Sequence, residues 1–554
     1  MTEKLVKMLK MVVKEDVDMG VSASEKFGFG HYSSNVAFKL SKIQKKSPLE
    51  IAEELAGKLS SNKEFEKVEA AAPGFVNFWM KPEFFQEELA VILKQKDKYG
   101  KNNNLKGQKT VIEYTDPNPF KEFHIGHLMS NSIGESLSRI LEWNGAKVKR
   151  ACYQGDVGMH VAKAIWGIQK LGLKKIGSIA ELAEAYALGA KNYELNAKNE
   201  INAINKQIYE RSDKEVNRFY DAGRKISLEY FDLIYNKLGT IFDYKFFESD
   251  TEKIGRKIVE EGLKKGIFEK SDNAIVFKGE KYGLHTRVFI NSEGLPTYEA
   301  KELGLAKMKD EKYSFDRSIV ITGNEVNEYF KVLLKAMELM LPELAEKTEH
   351  IGHGMMRLST GKMSSRTGDV ITAESLISEV EKLVEEKIAG QKLTEKEKKE
   401  IKDVVSVGAV KYSILRQAIG GDIIFDFEKS ISFEGDSGPY LQYAYTRAKS
   451  VLEKAKEEKI KPALKLMPNE VSELESMLCR FSEVVERSGK ELAPHYIATY
   501  LIELSRVFNA YYAKVKIVDN KDKFSPYKVA LTSAFMQVMK NGLEILGIKV
   551  PEKM

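Results

Sequence analysis

Residues 110–127 read TVIEYTDPNPFKEFHIGH, and the fold follows from this stretch. It begins with a β-branched segment typical of a strand, passes through a proline-rich loop and continues into a segment with helical spacing of apolar residues. In such a strand–loop–helix unit, unpaired backbone N–H groups and the positive end of the helix dipole face the carboxyl end of a sheet. The stretch therefore predicts a parallel α/β sheet with an anion-binding site at the start of the helix.

Two histidines mark the beginning of that predicted helix. His124 and His127 share one helix face, and Gly126 between them has no side chain to obstruct a purine or a phosphate. An isolated His-x-x-His pair is more often a capping or packing feature, and it can also bind zinc. No further histidine or glutamate follows at metal-ligand spacing, so the pattern favours a nucleotide phosphate over a metal ion.

A second stretch, residues 353–368, reads HGMMRLSTGKMSSRTG. Its glycines permit hinge motion, and the hydroxyl of Ser364 is an adaptable hydrogen-bond donor. Lys362 and Arg366 could close on the β- and γ-phosphates of a nucleotide as negative charge develops on the leaving group. Basic, serine-rich loops are usually solvated surface, but finding both stretches in this order favours nucleotide chemistry.

Around these stretches, the pattern divides the 554 residues into three regions. The first combines helical patterns with a short β-type segment, and the last is almost entirely helical. The middle region has further strand patterns at 274–277, 287–290 and 318–322, which we expect to join the parallel sheet. The predicted domains are residues 1–104 (α+β), residues 105–400 (parallel α/β with a helical insertion near 168–240) and residues 401–554 (helical bundle).

Composition restricts the class of protein. Hydrophobic residues make up 43% and charged residues 30%, which is typical of a globular chain in water. No apolar run approaches the roughly 20 residues that span a bilayer, so we expect a cytoplasmic protein with no membrane partner. Cys152 and Cys479 are too few and too far apart for a disulfide framework or a cysteine-based zinc site, and we expect no structural metal. The small excess of Lys and Arg (87) over Asp and Glu (81) permits a polyanionic partner without requiring one.

His-Ile-Gly-His at 124–127, followed by Lys-Met-Ser-Ser-Arg at 362–366, resembles the two signatures of class I aminoacyl-tRNA synthetases. The second departs from the usual pattern at Ser365, where a lysine is expected. Arginyl-tRNA synthetases are the members in which that lysine is commonly missing. We hypothesise that Lys121, just before the histidines, supplies the missing charge.

Further segments resemble the arginyl family in its order, and together they cover essentially the whole chain. Pro117-Asn118 and Lys121 stand where that family has Pro-Asn and Lys before its histidines. The other similar segments are residues 30–35 and 72–78 near the start, residues 154–158 (QGDVG), residues 294–298 (GLPTY), residues 433–443 (FEGDSGPYLQY) and the terminal residues 546–554 (LGIKVPEKM).

The resemblance implies a fold and an activity. The expected fold is a Rossmann-type parallel-sheet catalytic domain with a helical insertion, an α+β N-terminal domain that contacts the tRNA elbow, and an all-α anticodon-binding bundle. The expected activity is that of a ligase that activates arginine with ATP and Mg²⁺ and transfers it to tRNA(Arg). We expect a monomer. The resemblance assigns ATP binding to His124, Gly126, His127, Lys362, Ser364 and Arg366, with catalytic roles for both histidines, Lys362 and Lys121.

The resemblance also implies the substrate contacts. Glu113, Tyr298 and Glu302 are expected to bind the guanidinium, although the family has an aspartate at the place of Glu302. Asn118 is expected to bind the α-amino group, and its usual glutamine partner is replaced here by Val326, so Gln154 is an alternative acceptor. The expected tRNA contacts are Tyr440, Gln442, Tyr443 and Arg447 in the bundle, where only exposed side chains would read bases, and Tyr32, Asn35 and Phe75 near the start.

Two rival interpretations stay open from the sequence. One is a related nucleotidyl-transfer enzyme, such as a synthetase for another amino acid or a small adenylyltransferase. The other is a catalytically silent tRNA-binding paralogue, which Ser365 and Val326 make plausible. The intact His124, Gly126, His127 and Lys362 weigh against the silent paralogue.

Overall fold

The N-terminal part of the protein is an antiparallel sheet covered by helices, in a computed structural model that describes residues 2–24, 27–359 and 371–554. Its strands lie in the order β1-β2-β4-β3. The α+β prediction for this part is confirmed. The elements are α1 (Thr2–Val12), β1 (Val21–Ala23), β2 (Tyr32–Ser34), α2 (Val36–Gln44), α3 (Pro48–Leu59), β3 (Phe65–Ala71), β4 (Phe75–Met80) and α4 (Pro82–Gln95).

The central part alternates strands with helices. Its elements are β5 (Lys109–Glu113), α5 (Ile125–Trp143), β6 (Lys147–Gln154), α6 (Met159–Lys170), α7 (Ile179–Leu195), α8 (Lys198–Glu210), α9 (Lys214–Leu238), β7 (Tyr244–Phe247), α10 (Glu248–Lys264), β8 (Glu269–Ser271), β9 (Ala274–Phe277), β10 (Arg287–Ile290), α11 (Tyr298–Lys312), β11 (Arg317–Gly323), α12 (Asn327–Met340), α13 (Pro342–Lys347), β12 (Thr348–His353) and β13 (Met356–Leu358).

A five-stranded parallel sheet with the order β12-β11-β5-β6-β7 forms the centre of this part. The chain leaves β5 toward β6 on one side and later returns to pair β11 on the other. Ligands of open α/β sheets bind in the crevice at the carboxyl ends of strands where the order reverses in this way. The predicted Rossmann-type sheet is thus confirmed, and its crevice lies where β5 ends.

Two of the three additional strand patterns do not join that sheet. β9 and β10 belong with β8 to a separate three-stranded antiparallel sheet, and only β11 is part of the parallel one. β8 and β9 are joined by Asp272 and Asn273, both with positive φ (47° and 61°). A two-residue turn of this kind produces a hairpin, whereas parallel pairing needs a long crossover.

The helices α6 to α9 lie between β6 and β7 and form the predicted helical insertion. They enclose a hydrophobic cluster of their own that includes Trp166, Ile201 and Phe219. The long helix α9 is capped at its start by Asp213, whose carboxylate accepts hydrogen bonds from two backbone N–H groups, and at its end by Gly239, which has a φ of 72°.

The C-terminal part is helical apart from one short strand that pairs with β13. Its elements are α14 (Ala373–Ile388), α15 (Glu395–Leu415), β14 (Ile423–Phe425), α16 (Phe427–Ser430), α17 (Gly438–Glu457), α18 (Glu473–Cys479), α19 (Phe481–Glu491), α20 (His495–Lys514) and α21 (Ser525–Ile545). Helices α15, α19 and α21 pack on α5. Helix α5 therefore lies between the sheet and the bundle. None of the described helices is both long and apolar enough to cross a membrane.

Candidate active site

The loop between β5 and α5 has an unusual backbone. Thr115, Asp116 and Phe120 have positive φ angles of 85°, 45° and 68°. A β-branched residue rarely adopts this conformation, and such strain persists only where surrounding contacts impose it. Here the N–H of Thr115 donates to Ser130 Oγ (3.0 Å) and the N–H of Phe120 donates to Ser227 Oγ (2.9 Å). The loop is therefore held rigidly at the carboxyl end of the sheet.

His124 and His127 cap the first turn of α5. The N–H of Gly126 donates to His124 Nδ1 (3.1 Å), and the N–H of His124 donates to His127 Nδ1 (3.2 Å). The two rings stack with centroids 3.5 Å apart. Burial lowers the pKa of His124 to about 4, helped by the charge of Lys121, and burial with the neighbouring His124 holds the pKa of His127 well below its usual range. Both rings are therefore neutral near pH 7, and because Nδ1 is the acceptor, each carries its proton on Nε2.

Part of the second motif lies outside the described residues, namely Lys362, Ser364, Ser365 and Arg366. The described chain returns directly beside α5. The N–H of Ile125 donates to the carbonyl of Ile371 (3.1 Å), and the N–H of Ala373 donates to the carbonyl of Phe123 (2.8 Å). Residues 371–373, which follow the second stretch in the chain, are thus neighbours in space of the start of α5.

Lys121 lies near the histidines. Its Nζ is 4.6 Å from the centroid of the Tyr186 ring on α7, and its charge contributes to lowering the pKa of His124, His127 and His160. The charge of Lys121 therefore lies close to the start of α5. Lys121 also contacts the helical insertion, a contact that the sequence did not indicate.

Glu113 lies at the end of β5 and is almost completely buried, at 1% exposure. Its Oε2 already has a cationic partner, because Lys309 Nζ lies 3.0 Å away and also donates to Ser318 Oγ (3.3 Å). One of the two oxygens of Glu113, which is predicted to bind a guanidinium, is therefore already paired with a lysine. Lys309 was missed because no local pattern on α11 distinguishes it from a surface lysine.

Other predicted arginine-binding residues converge on the same crevice. Tyr298, 56% exposed, begins α11, and Glu302 follows one turn later. Burial raises the pKa of Glu302 well above its usual range, and the charge of Glu113 adds to this. Close by, Lys301 Nζ donates to Glu248 Oε2 (2.7 Å), a buried pair that the sequence did not indicate.

Gly155 brings Asn118 and Glu248 together. A Cβ at Gly155 would overlap Asn118 Oδ1 and approach within 3.0 Å of Glu248 Oε1. The preceding Gln154 is fully buried; its Nε2 donates to Tyr235 OH (3.2 Å), and its Oε1 has no hydrogen-bond partner among the described residues. Gln154, next to Gly155 in the chain, therefore has one unpaired acceptor oxygen.

Val326 lies in a short 3-10 turn, Asn324–Val326, and packs against the hydrophobic cluster beneath α11 and α12. Its side chain cannot accept a hydrogen bond. The valine that stands where the resemblance predicts a glutamine thus lies in an apolar environment.

Asp156, in the QGDVG segment, connects the sheet to the insertion. Its carboxylate is fully buried and accepts hydrogen bonds from Tyr220 OH (3.0 Å), Arg224 Nε (2.9 Å), and the N–H (3.0 Å) and hydroxyl (2.8 Å) of Ser249. These donors come from α9 and α10. The QGDVG segment therefore holds α9 and α10 against the sheet, a role that its sequence alone did not indicate.

Three of the four predicted bundle contacts form a surface cluster. The Arg447 guanidinium lies 4.7 Å from the Tyr443 ring centroid and 5.2 Å from that of Tyr512, and it donates to Asn509. Asn509 in turn donates to Tyr440 OH (2.9 Å). We call these five residues the Arg447 cluster.

Gln442 requires a correction, because it is fully buried on the opposite side of α17. Its Nε2 donates to the carbonyls of Val404 (3.2 Å) and Lys549 (2.7 Å), which joins α17 to α15 and the C-terminal segment. A side chain in this position holds helices together and cannot reach a tRNA base in this structure.

Of the three tRNA contacts predicted near the N-terminus, one side chain is buried and two are exposed. Tyr32 is buried at 3% exposure within the N-terminal core, so its predicted surface contact with tRNA needs correction. Asn35 is exposed, and Phe75 is 38% exposed with its ring edge-on to Phe38 at 5.2 Å. These residues present an aromatic and polar surface.

Comparison with known proteins agrees with this organisation. Residues 88–427 match the family described as tRNA synthetases class I (R), catalytic domain; residues 441–554 match the DALR anticodon binding domain; and residues 1–80 match the arginyl tRNA synthetase N terminal domain. The chain is 31% identical to the arginine–tRNA ligase of Clostridium perfringens (99% of each chain covered) and 33% identical to that of Clostridium acetobutylicum (93% of each).

Solved structures show the same fold. Thermus thermophilus arginyl-tRNA synthetase superposes with a TM-score of 0.83 at 22% identity, covering 100% of both chains. The Plasmodium falciparum arginyl-tRNA synthetase gives 0.77 at 19% identity, covering 100% of this chain and 99% of that one.

Proposed function

The chain belongs to the class I (R) tRNA synthetase family, and we propose that it is an arginine–tRNA ligase that activates arginine with ATP and charges tRNA in translation. The observation that carries this proposal is the juxtaposition of two neutral histidines at the start of α5 with a crevice rich in carboxylates. The first suits a phosphate and the second suits a guanidinium.

In the first step, the arginine carboxylate attacks the α-phosphorus of ATP and diphosphate leaves, which yields arginyl-adenylate. Catalysis of this kind depends on positioning and on stabilising charge rather than on a protein nucleophile. His124 and His127 donate their Nε2–H groups to the transferring phosphate, and Gly126 gives the nucleotide close access to the helix. Lys362, Ser364, Arg366 and Lys121 bind the leaving diphosphate, with Mg²⁺ on the phosphates when ATP is bound.

Arginine binds in the crevice at the carboxyl end of the sheet. Tyr298 provides an aromatic face for the guanidinium, and Glu302 and the second oxygen of Glu113 accept its hydrogen bonds. Asn118 binds the α-amino group. Because Val326 offers no acceptor, the orphaned Oε1 of Gln154 is the second acceptor in our proposal.

In the second step, a terminal ribose hydroxyl of tRNA(Arg) attacks the adenylate carbonyl and AMP leaves. The Arg447 cluster, through Tyr440, Tyr443 and Arg447, stacks on unpaired anticodon bases, since aromatic rings and guanidinium planes bind such bases. Asn35 and Phe75 contact the tRNA elbow. We further propose a cytoplasmic monomer that forms the adenylate only when tRNA is bound.

The test is ATP–diphosphate exchange with arginine, in the presence and absence of tRNA(Arg). Lysine and glutamine are each tested in place of arginine. We expect exchange with arginine alone among the three, and only with tRNA present. Exchange with another amino acid would identify a different synthetase. Binding of tRNA without any exchange would identify a catalytically silent paralogue.

A further inference from the structure

The arginine crevice contains an internal balance of charges. Two of its carboxylates already have buried lysine partners: Glu113 pairs with Lys309 (3.0 Å) and Glu248 pairs with Lys301 (2.7 Å). Both lysines are almost fully buried, so they cannot swing away to solvent without leaving a buried carboxylate unpaired. These two pairs are parts of the fold.

Two further carboxylates have no such partner. Among the described residues, neither Asp116 nor Glu302 has a cation within ion-pair distance, and Glu302 accepts no hydrogen bond. Burial, with the added charge of Glu113, raises the pKa of each carboxyl well above its usual range. A cation entering the crevice would stabilise the ionised form of both carboxyls.

Asp116 is held in a defined position. Its backbone has a φ of 45°, and its Oδ1 accepts a hydrogen bond from the N–H of Tyr153 (2.7 Å) on the neighbouring strand β6. The same contact fixes the carboxylate at the mouth of the sheet, three residues beyond Glu113. Asp116 Oδ2 has no hydrogen-bond partner among the described residues.

The unpartnered amide oxygen of Gln154 lies in the same polar cluster. Gln154 Nε2 donates to Tyr235 OH (3.2 Å), which also contacts Cys152 Sγ (3.6 Å). Burial raises the pKa values of Tyr235 and Cys152, and the charge of Asp116 adds to both shifts. A fully buried acceptor without a donor thus lies near a carboxylate without a cation. Arginine has a cationic group at each end, so its α-ammonium can donate to Gln154 Oε1 while its guanidinium reaches Asp116.

We propose that Asp116 is a specificity-determining residue that binds the substrate guanidinium together with Glu302 and the free oxygen of Glu113, whose other oxygen stays paired with Lys309. This inference rests on the proposed function. A guanidinium presents five donors on a planar fork that can span two separate carboxylates, whereas the ammonium of lysine directs its three donors from a single atom. The arrangement therefore selects arginine by the number and direction of its donors.

The experiment compares wild type with Asp116→Asn by calorimetric titration with arginine, with citrulline, which is its neutral ureido isostere, and with 5-guanidinopentanoate, which lacks the α-amino group. We expect arginine to bind about 10- to 100-fold more weakly to Asp116→Asn. The preference for arginine over citrulline should shrink by a similar factor, and the preference over 5-guanidinopentanoate should stay within about twofold of wild type.

Asp316→Asn is the matched control. Asp316 Oδ2 accepts the N–H of Lys109 (2.8 Å) just as Asp116 accepts that of Tyr153, but at the opposite end of the sheet. It should leave all three affinities unchanged. Asp116→Ser, which retains an acceptor for Tyr153, serves if Asp116→Asn does not fold.

An unchanged preference over citrulline in a folded Asp116 variant would overturn the proposal. A collapse of the preference over 5-guanidinopentanoate would overturn it too, because Asp116 would then face the α-ammonium. Absence of arginine exchange in the wild type would contradict the proposed function instead, and these titrations do not depend on exchange.

Discussion

The imidazole rings of His124 and His127 stack 3.5 Å apart, and each Nδ1 accepts a backbone N–H of the same helix turn. The same atoms that cap α5 therefore also set the tautomer of the two rings. Capping and phosphate binding are two consequences of one arrangement, because a ring that accepts at Nδ1 can donate only from Nε2.

This arrangement allows the two roles to be separated. His124→Asn keeps a side-chain acceptor suited to a helix N-cap but removes the Nε2–H donor. We expect a rate of arginine-dependent ATP–diphosphate exchange about 100-fold lower, with a thermal midpoint close to that of wild type. His285→Ala, on an exposed residue, is the control. A His124→Asn enzyme that exchanges at the wild-type rate would show that the ring has no role in the chemistry.

Asp156 connects β6 with α9 through a buried carboxylate that accepts four hydrogen bonds, including one from Arg224. Asp156→Ala leaves those donors unpaired, so we expect the free energy of unfolding to fall by about 3 kcal/mol. Urea titration measures this. The control is Asp221→Ala on α9, because the exposed Asp221–Arg211 pair should contribute far less to the free energy of unfolding. Equal losses in the two variants would contradict a structural role for Asp156.

The fold and the position of the histidine pair at the start of α5 could be predicted because their signals are local. The strand, loop and helix of residues 110–127 lie within one continuous stretch, and periodicity is visible over such lengths. Lys309 and Lys301 could not be singled out, because each meets its carboxylate only after distant strands and α11 come together. Gln442 and Tyr32 show a second limit, since a helical or strand pattern rich in polar and aromatic residues does not say which of them face inward.

Gly155 offers a test of the arginine crevice that changes no charge. A Cβ at this position would overlap Asn118 Oδ1 and press on Glu248. We expect Gly155→Ala to raise the KM for arginine about tenfold while leaving the KM for ATP within about twofold. Gly57→Ala, where an added Cβ meets open space on α3, is the matched control and should leave both constants unchanged. A larger effect on ATP than on arginine would place Asn118 on the nucleotide side of the site.

The Arg447 cluster predicts how the bundle contributes to tRNA binding. Arg447→Ala removes the guanidinium that lies between two tyrosine rings, so we expect tRNA(Arg) to bind about tenfold more weakly, with an unchanged affinity for arginine. Arg487→Ala is the matched control, because Arg487 also lies over a tyrosine ring (Tyr496, 4.0 Å) but on α19. Filter binding at fixed salt measures both. Equal weakening in the two variants would indicate a general charge effect rather than a specific surface.

Buried neutral histidines give the protein a defined pH dependence of stability. Burial lowers the pKa of His160 to about 3, while an unfolded histidine titrates near 6.5. Between these values the unfolded chain binds a proton that the folded chain does not, so the contribution of His160 to stability is lost as the pH falls below about 6.5. The carboxyls of Asp116 and Glu302, whose pKa values are raised, act in the opposite sense.

For that reason the test compares wild type with His160→Gln, which can still donate to the carbonyl of Gly155 but does not titrate. Urea midpoints of both proteins are measured from pH 8 to pH 5. We expect the stability of wild type relative to the variant to decrease as the pH falls through about 6.5, because only wild type loses the histidine contribution. A difference between the two proteins that stays constant, or that grows in favour of wild type at lower pH, would mean that His160 is protonated in the folded state.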